Sequence, residues 1–147
     1  MTSDAIVSPQ KVKLSSSISI LIVDDHLLML NALKDLLTHD KSLEVIGTCN
    51  SGVEAGKKYQ ELHPDIVIMD VYMKPISGII ATKNILQLHP EAKIIGLSNF
   101  YSQTDADELS KAGAKGYIVK IASLKSIIEC VKKVHAGELC FEENIDF

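Results

Sequence analysis

Residues 18–25 read ISILIVDD, a run of strand length that ends in two acids. Aliphatic and β-branched side chains dominate its first six residues, which is typical of a strand buried in a sheet. Four further short apolar runs predict strands at Leu43–Cys49, Ile66–Met69, Lys93–Leu97 and Gly116–Val119. Longer segments separate each run from the next, so the chain predicts five strands with a connection of helical length after each.

The connecting segments carry the periodicity of amphipathic helices. The predicted helices are Leu27–Thr38, one that starts at Ser51, Gly78–His89, Gln103–Ala112 and Ser123–Ala136. Ser51 and Glu54 have the spacing of a capping box. The second and third helices both finish in Leu-His-Pro, at residues 62–64 and 88–90, because proline cannot continue a helix. We expect one shared turn to follow both.

Strands that alternate with helices predict a parallel sheet covered on both faces. Right-handed crossovers then favour a doubly wound α/β fold, in which ligands bind beyond the carboxyl ends of the strands. Residues 1–17 are serine-rich and without periodicity, and we interpret them as a flexible leader. The folded domain is expected over residues 18–141, with residues 142–147 as a tail or the start of a linker.

Composition narrows the class of protein. The chain has 147 residues, 46% of them hydrophobic and 23% charged, which suits one globular domain. A net charge of −4 argues against nucleic-acid binding by these residues alone. The cysteines, Cys49, Cys130 and Cys140, are too few and too scattered for a disulfide framework or a zinc site. Without a membrane-spanning run or signal peptide, we expect a cytoplasmic protein.

Polar and charged side chains follow four of the predicted strands at the point where each ends. They are Asp24, Asp25, Asp70, Ser98 and Lys120. Each alone is an ordinary loop, cap or surface residue, but together they place three carboxylates, a hydroxyl and an ammonium at one edge. Three carboxylates repel one another, and a hard cation such as Mg²⁺ offsets this. The lysine suits a phosphoryl group, and Asp70, the central acid, is the best candidate nucleophile.

Three runs of the sequence resemble the receiver domain of two-component response regulators. They are Ile20-Leu21-Ile22-Val23-Asp24-Asp25-His26, Pro64-Asp65-Ile66-Val67-Ile68-Met69-Asp70 and Ala112-Gly113-Ala114-Lys115-Gly116-Tyr117-Ile118-Val119-Lys120. The resemblance covers about residues 18–141. With Gly137-Glu138-Leu139, these runs are most similar to the NarL/FixJ (LuxR-tailed) type. The resemblance implies a flavodoxin-like sheet of five strands in the order 2-1-3-4-5.

The resemblance also implies roles for matching residues. Asp70 would accept a phosphoryl group from a sensor histidine kinase or phosphotransfer protein, and the chain would catalyse only its own phosphorylation and dephosphorylation. Mg²⁺ would be held by Asp25, Asp70 and the backbone carbonyl of Tyr72, with Asp24 acting through a coordinated water. Lys120 and Ser98 would contact the phosphoryl group, and Tyr117 would be an aromatic switch that turns inward as Ser98 moves towards the phosphate.

The implied partners and output follow the same resemblance. Control of transcription would need a helix-turn-helix DNA-binding domain after Phe147, which this chain does not contain; it is either part of a longer regulator or a stand-alone receiver. Receivers of this type also pair as homodimers, and no membrane contact is implied. Tyr72, Lys74 and Asn99 depart from the usual pattern around the acceptor, and we expect them to alter the lifetime of the phosphate.

Two other functions remain open from the residues. A phosphatase of the haloacid dehalogenase type also uses a nucleophilic aspartate, but its second aspartate, two residues later, is here Tyr72. A pseudo-receiver would bind partners without phosphorylation, and the intact acidic set argues against it.

Overall fold

The computed structural model describes residues 17–120 and 124–141. In these residues strands and helices alternate along the chain. The elements are β1 (Ile18–Val23), α1 (Leu27–Leu37), β2 (Leu43–Cys49), α2 (Gly52–Leu62), β3 (Ile66–Asp70), α3 (Gly78–Leu88), β4 (Ile94–Ser98), α4 (Gln103–Ala112), β5 (Gly116–Val119), α5 (Leu124–His135) and β6 (Cys140–Phe141). Strands β1, β2 and β5 have the predicted bounds. Strand β3 ends one residue later than predicted, at Asp70, and both ends of β4 are shifted by one residue, to Ile94 and Ser98.

The strands form one parallel sheet in the order β2-β1-β3-β4-β5-β6. The predicted order 2-1-3-4-5 is confirmed, whereas the predicted number of five strands is wrong. The sixth strand is only two residues long, so it leaves no apolar run or alternation in the sequence. In register, Asp70 lies opposite Leu97 and Ser98 lies opposite Val119, which aligns the carboxyl ends of the three strands at one edge.

The core lies on both faces of the sheet. On one face, Leu33 of α1 and Val131 of α5 pack against buried side chains of the central strands. On the other face, Tyr59 of α2 and Ile85 of α3 do the same. All six residues of β1 are buried, as expected of a strand covered on both faces. This double layer positions the carboxyl ends of the strands, where the predicted site residues lie.

The helix ends differ in detail from the predictions. The Ser51 side chain caps α2 by accepting a hydrogen bond from the amide of Val53, not from that of Glu54, so the reciprocal capping box is not formed as predicted. Helices α2 and α3 end at the predicted Leu-His-Pro sequences, but the expected shared turn is wrong. His63 is left-handed with φ 46°, whereas His89 has φ −133°.

Some predictions concern residues outside the described ones. These are the leader, apart from residue 17, the tail at residues 142–147 and the N-cap Ser123. Within the described ranges, every helix is too short or too polar to cross a lipid bilayer.

Candidate functional site

Three of the predicted side chains form a buried ion triad. Asp70, the last residue of β3, and Asp24, just after β1, lie on either side of Lys120 at the end of β5. The Lys120 Nζ lies 3.2 Å from Asp24 Oδ2 and 3.3 Å from Asp70 Oδ1. All three side chains are buried, with exposures of 6%, 0% and 4% for Lys120, Asp24 and Asp70. One ammonium therefore serves two carboxylates.

The electrostatics of this triad leave a deficit of positive charge. Burial and the neighbouring Asp24 carboxylate raise the pKa of Asp70 from 3.8 to about 6, although Lys120 opposes the rise. Asp24 Oδ1 accepts a hydrogen bond from the amide of His26 at 2.9 Å. Among residues 17–120 and 124–141, no hydrogen-bond donor is aligned with Asp24 Oδ2, although this oxygen is close to the Lys120 ammonium. A buried carboxylate oxygen without a hydrogen bond is the kind of group that a cation would satisfy.

The rim of the triad offers further metal-binding groups. Asp25 is exposed, and its Oδ2 accepts a hydrogen bond from the backbone amide of Lys74 at 3.3 Å. Ligand atoms of Asp24, Asp25 and His26 all lie within 4.8 Å of one another. Carboxylate oxygens are the donors that Mg²⁺ prefers, so the acidic residues present fit a hard divalent cation. Sequence reasoning missed His26 as a neighbour of this group, although it directly follows the two acids.

Tyr72, Lys74 and Asn99, which depart from the receiver pattern, take definite positions around Asp70. Lys74 and Asn99 are both exposed, and Lys74 reaches the site through its backbone amide. Tyr72 is 63% exposed, yet its hydroxyl donates a hydrogen bond to the carboxylate of Asp105 in the first turn of α4. This bond, ahead of desolvation, raises the pKa of Tyr72 to about 12. Sequence reasoning missed Asp105, whose only signal was an acid three residues after the N-cap Ser102.

The two predicted switch residues are in contact. Ser98 and Tyr117 are fully buried, and their hydroxyl oxygens lie 2.7 Å apart. The Ser98 hydroxyl donates to the carbonyl of Phe100 at 2.7 Å. The Tyr117 hydroxyl lies 3.2 Å from the same carbonyl and accepts from the amide of Ser102 at 3.2 Å. Tyr117 therefore points inward, towards the end of β4.

The start of α3 packs closely against the backbone of Asp70. The amide of Gly78 donates to the carbonyl of Val71 at 2.8 Å and closes the loop after β3. A Cβ on Gly78 would collide with the carbonyl oxygen of Asp70, so glycine is required here for space. The N-terminus of α3 is thereby held directly against the backbone of Asp70.

Comparisons with known proteins agree with this geometry. The sequence profile described as "Response regulator receiver domain" matches residues 20–132. The chain is 44% identical over 115 residues to the chemotaxis protein CheY of Thermotoga maritima, which covers 78% of this chain and 95% of that protein. It is 37% identical over 121 residues to the response regulator GacA of Pseudomonas viridiflava, which covers 82% of this chain. The chain spans only 56% of the length of GacA.

Solved structures show the same architecture. A LuxR-family two-component response regulator from Aurantimonas sp. SI85-9A1 superposes with a TM-score of 0.82 at 28% identity, covering 85% of this chain and 89% of that one. CheY in a CheX-CheY-BeF₃-Mg²⁺ complex from Borrelia burgdorferi superposes with a TM-score of 0.71 at 28% identity, covering 76% and 84% of the two chains. With the profile match, these likenesses place the chain in the response-regulator receiver-domain family of two-component systems.

Proposed function

We propose that this chain is a phosphorylation switch whose acceptor is the carboxylate of Asp70. The observation that carries the proposal is the buried triad, in which a single Lys120 ammonium is shared by Asp24 and Asp70. A structural ion pair needs one partner for each charge, whereas this site holds excess buried negative charge. Such an arrangement suits a group that is modified and a site that gains a cation.

The proposed reaction transfers a phosphoryl group from a donor to the carboxylate of Asp70. A carboxylate oxygen of Asp70 attacks the phosphorus of the donor, and an O–P bond forms. The donor's bond to phosphorus breaks, and its electron pair leaves with the donor. Lys120, already 3.3 Å from Asp70, is placed to neutralise the charge of the transferred group's oxygens. Ser98, at the end of the neighbouring strand β4, is proposed to give up its hydrogen bond to the Phe100 carbonyl and to donate to one of those oxygens instead.

We further propose that Asp24, Asp25, Asp70 and the backbone carbonyl of Tyr72 hold Mg²⁺, with Asp24 acting through a water. When bound, Mg²⁺ would offset the repulsion among the carboxylates and the incoming phosphoryl oxygens. The hydrogen-bond-deficient Asp24 Oδ2 and the exposed Asp25 at the rim support this assignment. The Mg²⁺ and BeF₃ named in the Borrelia CheY complex support it by family likeness.

The donor is proposed to be a phosphohistidine of a sensor kinase or phosphotransfer protein. A groove of about 290 Å³, lined in part by Lys120, opens beside the triad and offers an approach to it. Its lining residues are His26, Leu28, Met29, Ala32, Asn99 and Lys120. The output is proposed to be control of transcription, as the resemblance to the NarL/FixJ (LuxR-tailed) type implies; a solved relative is also described as a LuxR-family response regulator. DNA contact would then belong to a domain outside this chain.

Phosphorylation is proposed to act through the contact between Ser98 and Tyr117. Their hydroxyls compete for the carbonyl of Phe100, and a phosphoryl oxygen at Asp70 would give Ser98 a different acceptor. The hydrogen bonds around α4 would change as a result. The switch therefore has two states that differ in defined hydrogen bonds, as a population shift requires.

The test is incubation of the full chain with acetyl phosphate and Mg²⁺. Wild type is expected to gain the mass of one phosphoryl group, and Asp70→Asn is expected to gain none. Asp25→Asn, which keeps the acceptor and alters only the rim, is expected to react more slowly and to require more Mg²⁺. Equal modification of wild type and Asp70→Asn would refute the assignment of the acceptor.

A further inference from the structure

Strand β6 lies beyond residue 132, where the match to the family profile ends. Its residues Cys140 and Phe141 pair in parallel with Gly116 and Tyr117 of β5. The amide of Cys140 donates to the carbonyl of Lys115 at 2.9 Å. The strand is therefore anchored to β5, the strand that carries the switch tyrosine.

The side chain of Phe141 lies on the same face of the sheet as Tyr117, because register partners in a sheet point to the same side. It is half-buried and packs against the apolar cluster that contains Tyr117 and Leu109. Tyr101 packs on the same cluster, with its ring centroid 5.3 Å from that of Tyr117. Tyr101 thus contacts the inward ring, and Phe141, its register partner, packs on the cluster that contains it.

The backbone of β5 allows β6 to approach closely at Gly116. A Cβ at Gly116 would lie 2.9 Å from the carbonyl oxygen of Cys140. That spacing is shorter than carbon and oxygen tolerate, so glycine permits the close approach of β6. The turn that leads into β6 passes through Gly137 with φ 99°, a conformation that glycine adopts without strain.

The hydrogen bonds of Tyr117 connect this packing to the acceptor site. The carbonyl of Phe100 is within reach of two hydroxyls, at 2.7 Å from Ser98 and 3.2 Å from Tyr117. If Ser98 donates instead to a phosphoryl oxygen at Asp70, Tyr117 becomes the sole hydroxyl donor to that carbonyl. Phosphorylation would therefore strengthen the inward position of the ring.

We propose that β6 is an allosteric element of the switch and that Phe141 is a positioning residue that holds Tyr117 inward. The proposal rests on the proposed function of Asp70. Because coupling between two sites is reciprocal, occupation of the acceptor site tightens β6, and loss of the Phe141 ring weakens occupation of the acceptor site.

The experiment uses the full chain, Mg²⁺ and beryllofluoride, a non-covalent mimic of the phosphoryl group. Hydrogen exchange at the amide of Cys140 is expected to slow when wild type binds beryllofluoride. Phe141→Ala is expected to bind beryllofluoride roughly 5-fold or more weakly, the lower end of ordinary allosteric coupling. The matched control is Leu139→Ala, which removes an exposed side chain from the same segment and should bind as wild type does.

Two further variants separate positioning from general loss of structure. Phe141→Tyr keeps the ring and is expected to restore the affinity. Phe141→Leu keeps apolar bulk and should bind with intermediate affinity, which covers the case in which alanine unfolds the chain. Wild-type affinity in both Phe141→Ala and Phe141→Leu, or unchanged exchange at Cys140, would overturn the proposal. Failure of wild type to bind beryllofluoride at all would instead refute the proposed function of Asp70, and this inference with it.

Discussion

Replacing Asp70 by asparagine should stabilise the metal-free protein, because the native carboxylate is buried beside Asp24 with only a share of Lys120. Folding raises the pKa of Asp70 from 3.8 to about 6. The contribution of Asp70 to the free energy of unfolding is therefore fully present below pH 3.8 and is lost as the pH rises through about 6. The two pKa values differ by about 2.2 units, and each unit corresponds to about 1.36 kcal/mol. Ionisation of Asp70 therefore lowers the free energy of unfolding by about 3 kcal/mol at pH 7.

Asparagine has the same shape and does not ionise, so it avoids this loss. We expect Asp70→Asn to be more stable than wild type by about 3 kcal/mol at pH 7.5 in EDTA, and by much less at pH 4. Urea denaturation followed by circular dichroism measures both differences. Asp25→Asn is the control, because Asp25 is exposed and should change stability little at either pH.

Mg²⁺ should reverse the order of stability, so that wild type becomes more stable than Asp70→Asn. It binds the folded wild type and stabilises it in proportion to the logarithm of its concentration above Kd, whereas the asparagine variant lacks one charged ligand. Equal stability of wild type and Asp70→Asn in EDTA, or a difference that does not change between pH 4 and pH 7.5, would refute the account of the triad.

Two other substitutions test separate contacts. Gly78→Ala should lower the free energy of unfolding by about 1–3 kcal/mol, because its Cβ collides with the carbonyl of Asp70. The control is Gly56→Ala, which lies in open space on α2 and should raise the free energy of unfolding by about 0.5–1 kcal/mol. A Gly78→Ala variant as stable as wild type would contradict the packing. Asp105→Asn should lower the pKa of Tyr72 from about 12 towards about 10, seen by phenolate absorbance with Tyr72→Phe to assign the signal; an unchanged titration would show that the hydrogen bond does not form.

Much of the fold was predictable because its signals are local. Strand β1 is an uninterrupted run of six buried residues, and α2 and α3 stop at prolines. Strand β6 was not predictable, because two residues carry no periodicity and their pairing depends on the close approach that Gly116 permits. The two Leu-His-Pro ends took different conformations because tertiary packing, not the tripeptide, sets the path of the chain after each helix.

The candidate site also contains some features that the sequence predicts and others that it does not. Asp24, Asp70 and Lys120 could be placed together from sequence because parallel strands bring their carboxyl ends to one edge. The hydrogen bond between Tyr72 and Asp105 could not, since it depends on how far a flexible side chain reaches across the loops. The shared carbonyl of Phe100 was equally invisible, because backbone acceptors have no sequence signature.

The most direct test of the central claim is to locate the phosphoryl group after reaction with acetyl phosphate and Mg²⁺. Borohydride reduces an aspartyl phosphate to homoserine, and peptide mass mapping then identifies the modified position. Wild type is expected to carry homoserine at residue 70, and Asp70→Asn is expected to remain unmodified. Homoserine at another aspartate of the wild-type chain, or undiminished modification of Asp70→Asn, would contradict the assignment of Asp70.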